Sequence, residues 1–188
     1  MPRLRVALVG LGMAVGPHAK SLVDLKDKAE VAWAFSPTAA RREAFAKNFP
    51  FPTTGDLDAV LADTSVDALL VLTPPNAHLD IVKRAAAAGK HVLLEKPLEV
   101  TTDRARALVD ACAAAGVRLG CVLQHRFRPA SVRVKQVLAE GGLGRLAHVS
   151  VAVPWWRPQK GYYDQPGRGT LARDGGGVLI TQAIHTLD

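Results

Sequence analysis

Two rhythms of apolar positions alternate along the first 123 residues. One is a short, nearly continuous apolar run. Arg3 to Val9, Glu30 to Phe35, Asp67 to Leu72, His91 to Leu94 and Arg118 to Leu123 are of this kind, and Phe51 to Thr54 is a shorter candidate. Such runs predict strands covered on both faces of a parallel sheet. The other rhythm has helical spacing. Ala19, Leu22 and Val23 follow Pro17, which suits a first helical turn because its missing N–H costs nothing there. Ala40, Ala44 and Phe45 follow Ser36-Pro37, and Asp56 to Leu61 reads as a short helix. An alanine-rich helix runs from Asn76 to Gly89. Another starts at Thr101, carries Ala105, Leu108, Val109 and Cys112 on one face, and ends near Gly116. Ser36 and Asn76 are plausible helix caps. Strictly alternating strands and helices predict an α/β fold with a doubly wound parallel sheet over residues 1–123.

The pattern changes over residues 124–188. Ser131 to Ala139 reads as a helix, Leu146 to Val153 as a strand, Pro154 to Gly177 as a long loop, and Val178 to Asp188 as a last helix. This is the pattern of an α+β domain that begins without being completed, with too little apolar surface for a large core of its own.

Composition narrows the class. Hydrophobic residues make up 48% and charged residues 22% of 188, the balance of an ordinary globular protein. No apolar run approaches a membrane span of about 20 residues. The basic-then-apolar start is short, enters a glycine loop and lacks a cleavage site, so it is not read as a signal peptide. Cys112 and Cys121 have no metal-ligand spacing and read as thiols in a reduced, cytoplasmic setting; no metal is expected. The net charge of +7 is spread along the chain, with no basic stripe interleaved with aromatics for nucleic acid. A groove for phosphates or a generally basic surface accounts for it.

Four features carry candidate chemistry. Gly10-Leu-Gly12-Met13-Ala14-Val15-Gly16 joins a strand to a helix, the setting of a dinucleotide fingerprint: Gly10 for the turn, Gly12 for a pyrophosphate, the helix N-terminus for negative charge. Its third glycine is displaced by one position, to Gly16. At the end of the second strand, Ser36 stands where an acid normally binds ribose hydroxyls, with Arg41 and Arg42 after it. This favours NADP over NAD, although Ser36 as a cap and the arginines as a solvated face remain open. Thr73-Pro74-Pro75-Asn76-Ala77-His78 follows a buried strand, where open parallel sheets bind ligands, and His78 could equally be a surface histidine. Glu95-Lys96-Pro97 follows the next strand. A lysine there is either a surface charge or a proton-transfer group of lowered pKa.

The block Val66 to His78, the block Ala88 to Pro97, Gly10, Gly12, His18, Arg126-Phe127, and Gly175 to Asp188 together resemble the Gfo/Idh/MocA family of oxidoreductases. The resemblance implies a Rossmann domain followed by a domain built on a large, mostly antiparallel sheet. It implies an NAD(P)-dependent dehydrogenase that moves hydride between the nicotinamide and a hydroxyl carbon of a sugar, cyclitol or nucleotide-sugar-like substrate. By matching position, Lys96 and His185 are the acid–base groups. Gly10, Gly12, Met13, Ala14, Ser36, Arg41, Thr73, Pro74, Pro75, Asn76, His78, Glu95, Lys96 and Pro97 would hold the cofactor. Arg126, Trp156, Arg157, Tyr163 and Thr181 would face substrate, with the tryptophans equally suited to a core or subunit interface. Thr181 stands where the family often has Asp or Asn, so a Lys-His pair is expected rather than a triad. Family members are longer chains that associate through the second sheet. The expectation is a truncated chain with exposed apolar surface over residues 143–188 and a tendency to form homo-oligomers. A truncated NAD(P)-binding relative without turnover is the alternative.

Overall fold

Strands β1 (Leu4–Val9), β2 (Ala29–Phe35), β3 (Thr53–Thr54), β4 (Ala68–Val71), β5 (His91–Glu95) and β6 (Leu119–Val122) form one sheet in the order β3-β2-β1-β4-β5-β6. The β2–β3, β1–β2, β1–β4 and β4–β5 pairs are all parallel. The computed structural model describes residues 3–188 and divides into two units, Met1–Cys121 and Val122–Asp188. The sheet belongs to the first.

Alternation along β1 and β4, with one register shift in the β1–β2 pair, sends side chains to two cores. Val6 and Leu8 of β1, Val31 and Ala34 of β2 and Leu70 of β4 pack with Val15 and Ala19 of α1 (Val15–Asp24) and Phe45 of α2 (Ala39–Ala46). Ala7, Val9, Leu69, Val71, Val92 and Leu94 take the other face. They meet Val60 of α3 (Leu57–Ala62), Val82 and Ala85 of α4 (His78–Ala87), and Leu108 and Cys112 of α5 (Thr102–Ala114). Helices on both faces explain the near-continuous apolar runs of β1 and β4. The chain fills one side of β1 with β2 and β3, then crosses back to add β4, β5 and β6. The β1–β4 junction is therefore the switch point, where a crevice opens at the carboxyl ends of the strands.

Side chains cap two helices of the first unit. The Asp56 carboxylate accepts the Ala59 N–H at 3.0 Å, and the Thr101 hydroxyl accepts the Arg104 N–H at 3.3 Å. Two caps differ from expectation. Ser36 does not cap α2: Thr38 is the capping residue, and the Ser36 hydroxyl instead accepts the Thr38 N–H at 3.3 Å. Asn76 does not cap α4, because a 3-10 turn, Pro75–Ala77, precedes that helix and makes Ala77 its capping residue.

The second unit holds a 3-10 turn, Gln124–Phe127, then α6 (Pro129–Ala139), α7 (Leu171–Asp174) and α8 (Ile184–Leu187), the last preceded by a π-helical turn, Leu179–Ala183. The strand expected over 146–153 is not formed. Alternation alone cannot make a strand without a ladder, and among the described residues none pairs with this stretch. Leu146, Val149 and Val151 are exposed, as are Leu143, Leu171, Val178 and Leu179, so the expected apolar surface is present. No helix among the described residues is long and apolar enough to cross a membrane.

Leu8 is fully buried in the centre of the sheet. Leu8→Ala is expected to cost about 2–5 kcal/mol, read as a lower urea midpoint with an unchanged slope. A midpoint equal to wild type would contradict this packing.

Candidate functional site

Three turns meet over the carboxyl ends of β1, β4 and β5. Gly10, at φ +106°, gives the first turn its close approach: a Cβ there would lie 3.0 Å from the Leu72 carbonyl carbon and the Thr73 nitrogen. The turn is fixed from the other side by the Gly10 N–H, which donates to the Phe35 carbonyl at 3.0 Å. A Cβ at Gly12 would meet nothing within 4 Å, so that side of the backbone is open. Gly16 is equally open and does not act as the displaced third glycine. Val15 occupies that packing position and is buried in the core. The N-terminus of α1 has no side-chain cap and no acid in its first turn, which leaves its N–H groups and positive dipole end for an anion. Met13 is exposed beside it, and Ala14 is the capping residue.

Ser36, at the end of β2, is almost fully buried. Arg42 donates to the Ser36 carbonyl at 2.7 Å, with its guanidinium packed on Gly55. Arg41 is the exposed arginine of the pair, and with Leu11, Val15 and Phe45 it lines a shallow cleft of about 330 Å³.

At the end of β4, the Thr73 hydroxyl is buried and has no hydrogen-bond partner. Pro74 and Asn76 are exposed, and Pro75 is half-buried. His78 differs from expectation. It is fully buried, with Nε2 at 2.9 Å from the Thr73 carbonyl and Nδ1 at 3.2 Å from the Leu98 carbonyl. It braces the two turns and does not face the cleft. A neutral imidazole carries one N–H, so one of the two carbonyls accepts a hydrogen bond from it, which offsets part of the cost of burying a polar ring.

Glu95 ends β5. Its Oε1 lies 2.9 Å from His18 Nε2 on α1, and its Oε2 accepts the Lys96 N–H at 2.9 Å. Burial pushes this carboxyl up. The hydrogen bond and charge of His18, the Lys96 ammonium and the Lys96 N–H outweigh burial and hold the pKa below the ordinary value of 4.5. Lys96 is half-buried, and a cis peptide joins it to buried Pro97.

Within the second unit, His185 stacks on His125 with ring centroids 4.6 Å apart, and Trp155 meets His125 edge-on. Burial and the nearby Arg128 charge lower the His125 pKa. Arg157 lies over the rings of Trp155 and Tyr162, at 5.6 and 5.4 Å, and donates to Gln182 at 3.1 Å. Tyr163 stands edge-on to Tyr162. The structure thus brings Arg157, Tyr163 and His185 into an aromatic and basic cluster. It leaves Trp156 outside, 83% exposed. Arg126 is paired with Asp188, its Nε donating at 2.9 Å. The Thr181 hydroxyl turns back to the Gly177 carbonyl at 2.8 Å. Among the described residues, no group of three or more His, Cys, Asp or Glu could hold a metal ion.

Sequence reasoning missed the contributions of Glu99 and Arg104. This ion pair carries one visible signal: Glu99 is an acid flanked by Leu98 and Val100 in a turn that otherwise reads as apolar.

Residues 4–122 match the Gfo/Idh/MocA oxidoreductase family model with its NAD-binding Rossmann fold, and residues 131–188 match the C-terminal domain model of the same family. The chain is 31% identical over 190 residues to the rhizopine catabolism protein MocA of Rhizobium meliloti, covering 100% of this chain and 56% of that protein. It is 28% identical over 189 residues to the scyllo-inositol 2-dehydrogenase (NAD(+)) of Bacillus subtilis, covering 99% and 52%. It superposes on the WlbA dehydrogenase of Bordetella pertussis, crystallised with NADH and UDP-GlcNAcA, with a TM-score of 0.93 and 32% identity, covering 100% and 56%. The chain spans about half the length of the curated relatives it matches.

The depressed Glu95 pKa fixes the sign of a pH effect. Its contribution to stability is complete above pH 4.5 and is lost as pH falls through the lower folded-state value. Glu95→Gln is expected to lower stability at pH 7 and to narrow its gap from wild type as pH falls below 4.5. Urea melts across that range check this, and a gap that widens on acidification would contradict the pairing.

Proposed function

Because this chain belongs to the Gfo/Idh/MocA oxidoreductase family, we propose that it is an NAD(P)-dependent dehydrogenase acting on a hydroxyl carbon of a carbohydrate-like substrate. The observation that carries this reading is Lys96 at the carboxyl end of β5, in a turn braced to α1 and β4 beside the switch point. The residues fit a dinucleotide: the backbone is open at Gly12, the α1 N-terminus lacks an acid, and the buried Thr73 hydroxyl lacks a partner. Gly10, Gly12, Met13 and Ala14 would hold the pyrophosphate. Ser36 and Arg41 would hold the adenosine end, and Thr73, Pro74, Pro75, Asn76, Glu95 and Pro97 would line the cleft. The nicotinamide supplies hydride acceptance or donation when bound.

Lys96 holds the reacting oxygen and carries its proton, and Glu95 keeps a negative charge beside the ammonium. His185 is the second acid–base group. Its stacking on His125 fixes the ring plane, and Thr181 orients substrate rather than exchanging protons. Arg157, Tyr163 and Trp156 belong to the substrate side, with Arg126 held by Asp188 at its edge. The relative crystallised with UDP-GlcNAcA supports a nucleotide-sugar-like substrate, and the relative named for scyllo-inositol supports a cyclitol. We place the nucleotide-binding domain at residues 1–123 and the substrate domain from residue 124. A homo-oligomer is the assembly this reading expects. NADP is favoured, since Ser36 rather than an acid follows β2 and Arg41 is the arginine left exposed there.

Fluorescence titration with NADPH and NADH, beside absorbance assays on polyols, sugars and nucleotide sugars, tests the proposal. Lys96→Met is expected to keep cofactor binding and lower turnover by about 10²–10⁴-fold. Binding without turnover on any substrate would favour a nucleotide-binding module instead. Arg41→Ala is expected to weaken NADPH roughly tenfold and leave NADH unchanged. Equal losses for both would contradict the 2′-phosphate role.

A further inference from the structure

The acid that caps α4 comes from a different turn. Glu99 lies two residues beyond Pro97, and its side chain is completely buried. Its Oε1 accepts the Leu79 N–H at 3.1 Å, in the first turn of α4, and its Oε2 accepts the Val100 N–H at 2.6 Å. Arg104, in the first turn of α5, donates Nε to Oε2 at 3.0 Å and Nη2 to Oε1 at 2.9 Å. The same Nη2 lies 3.0 Å from the Asn76 carbonyl. A carboxylate with no exposure is costly unless its lone pairs are filled, and here four donor contacts fill them.

Capping alone does not require this arrangement. A Ser or Asp at position 77 would satisfy the first-turn N–H groups from within the same turn. That position holds alanine, and no side chain of the turn itself caps the helix. The carboxylate is brought from beyond β5, so the bond that caps α4 also ties the turn carrying Asn76 to the turn carrying Lys96. His78 adds a second tie through the Leu98 carbonyl, and His18 holds Glu95 on the other side. Lys96 is thereby flanked on both sides by residues fixed to other elements.

We propose that Glu99 and Arg104 are a positioning pair that locks the β4 and β5 turns in one geometry, and that cofactor affinity depends on this lock. The proposal rests on the dehydrogenase reading above. Neither residue touches the reacting atoms; both act through Asn76, Leu79 and the Lys96-Pro97 turn.

Glu99→Gln, Arg104→Gln and Arg104→Lys in the full chain test it, with NADPH and NADH fluorescence titration beside thermal melts. The comparator is Asp63→Asn, which replaces the carboxylate that accepts from Trp33 and Ser65 away from these turns, leaving one of its two oxygens. Glu99→Gln and Arg104→Gln are expected to weaken the preferred nucleotide about tenfold or more, as misplaced binding groups do. Arg104→Lys is expected to recover part of that loss, and Asp63→Asn to lower Tm with Kd unchanged. If Glu99→Gln does not fold, the Arg104 pair carries the test, because Glu99 then keeps its two backbone donors. Wild-type Kd in Arg104→Gln, with a Tm loss like that of Asp63→Asn, overturns the lock and leaves the dehydrogenase reading standing. No binding of either nucleotide to the wild-type chain overturns both.

Discussion

A sheet covered by helices on both faces has its strand ends as the place for polar chemistry. In this protein the two cores claim the alternating side chains of β1 and β4, and the groups able to bind or transfer anything lie on the turns. Turns are the weakest part of such a fold, because they lack the ladder that fixes the strands. The architecture therefore needs devices that hold turn against turn. The first is steric: Gly10 lets the backbone of the β1 turn rest on that of Leu72 and Thr73. The rest are polar and span long sequence separations.

These ties use buried polar groups, which are costly when half-satisfied and rigid when complete. His78 contacts carbonyls on two turns, Glu99 collects donors from α4, α5 and its own turn, and Glu95 is matched with His18. Each depends on its neighbours. Removing Arg104 would leave the buried Glu99 carboxylate facing only backbone N–H groups, and removing His18 would leave Glu95 with less to offset its burial. A network of this kind specifies one arrangement of the turns more sharply than apolar contacts would, since an apolar contact tolerates sliding.

Much of the first unit was legible because its determinants are local. Apolar runs mark strands buried on both faces, and Thr101 sits next to the helix it caps. Helix spacing, Pro17 and the glycine loop place α1 within two residues of its observed start. The misreadings share one cause. Asn76 was the natural cap by proximity, but the donor it would have served is met by Glu99, twenty residues on and across two strand ends. His78 is polar in sequence and buried in space, because its partners are carbonyls that leave no trace in a pattern of side chains. Leu146 to Val153 alternates like a strand, yet pairing is a property of two segments and alternation of only one. In the second unit, that Trp155 rather than Trp156 meets His125 and Arg157 is set by packing, which adjacency in sequence does not determine.

The Glu99 contact also bears on how the fold opens and closes. Amides in the first turn of a helix have no carbonyl partner within it and ordinarily exchange with solvent early, as the helix end frays. The Leu79 amide occupies that position, yet it is held by a carboxylate that water does not reach. Its release requires breaking a contact with a carboxylate that Arg104 and the Val100 N–H also hold. One amide of α4 is thus tied to residues beyond β5 and at the start of α5, and its exchange would report on a contact larger than the helix in which it sits.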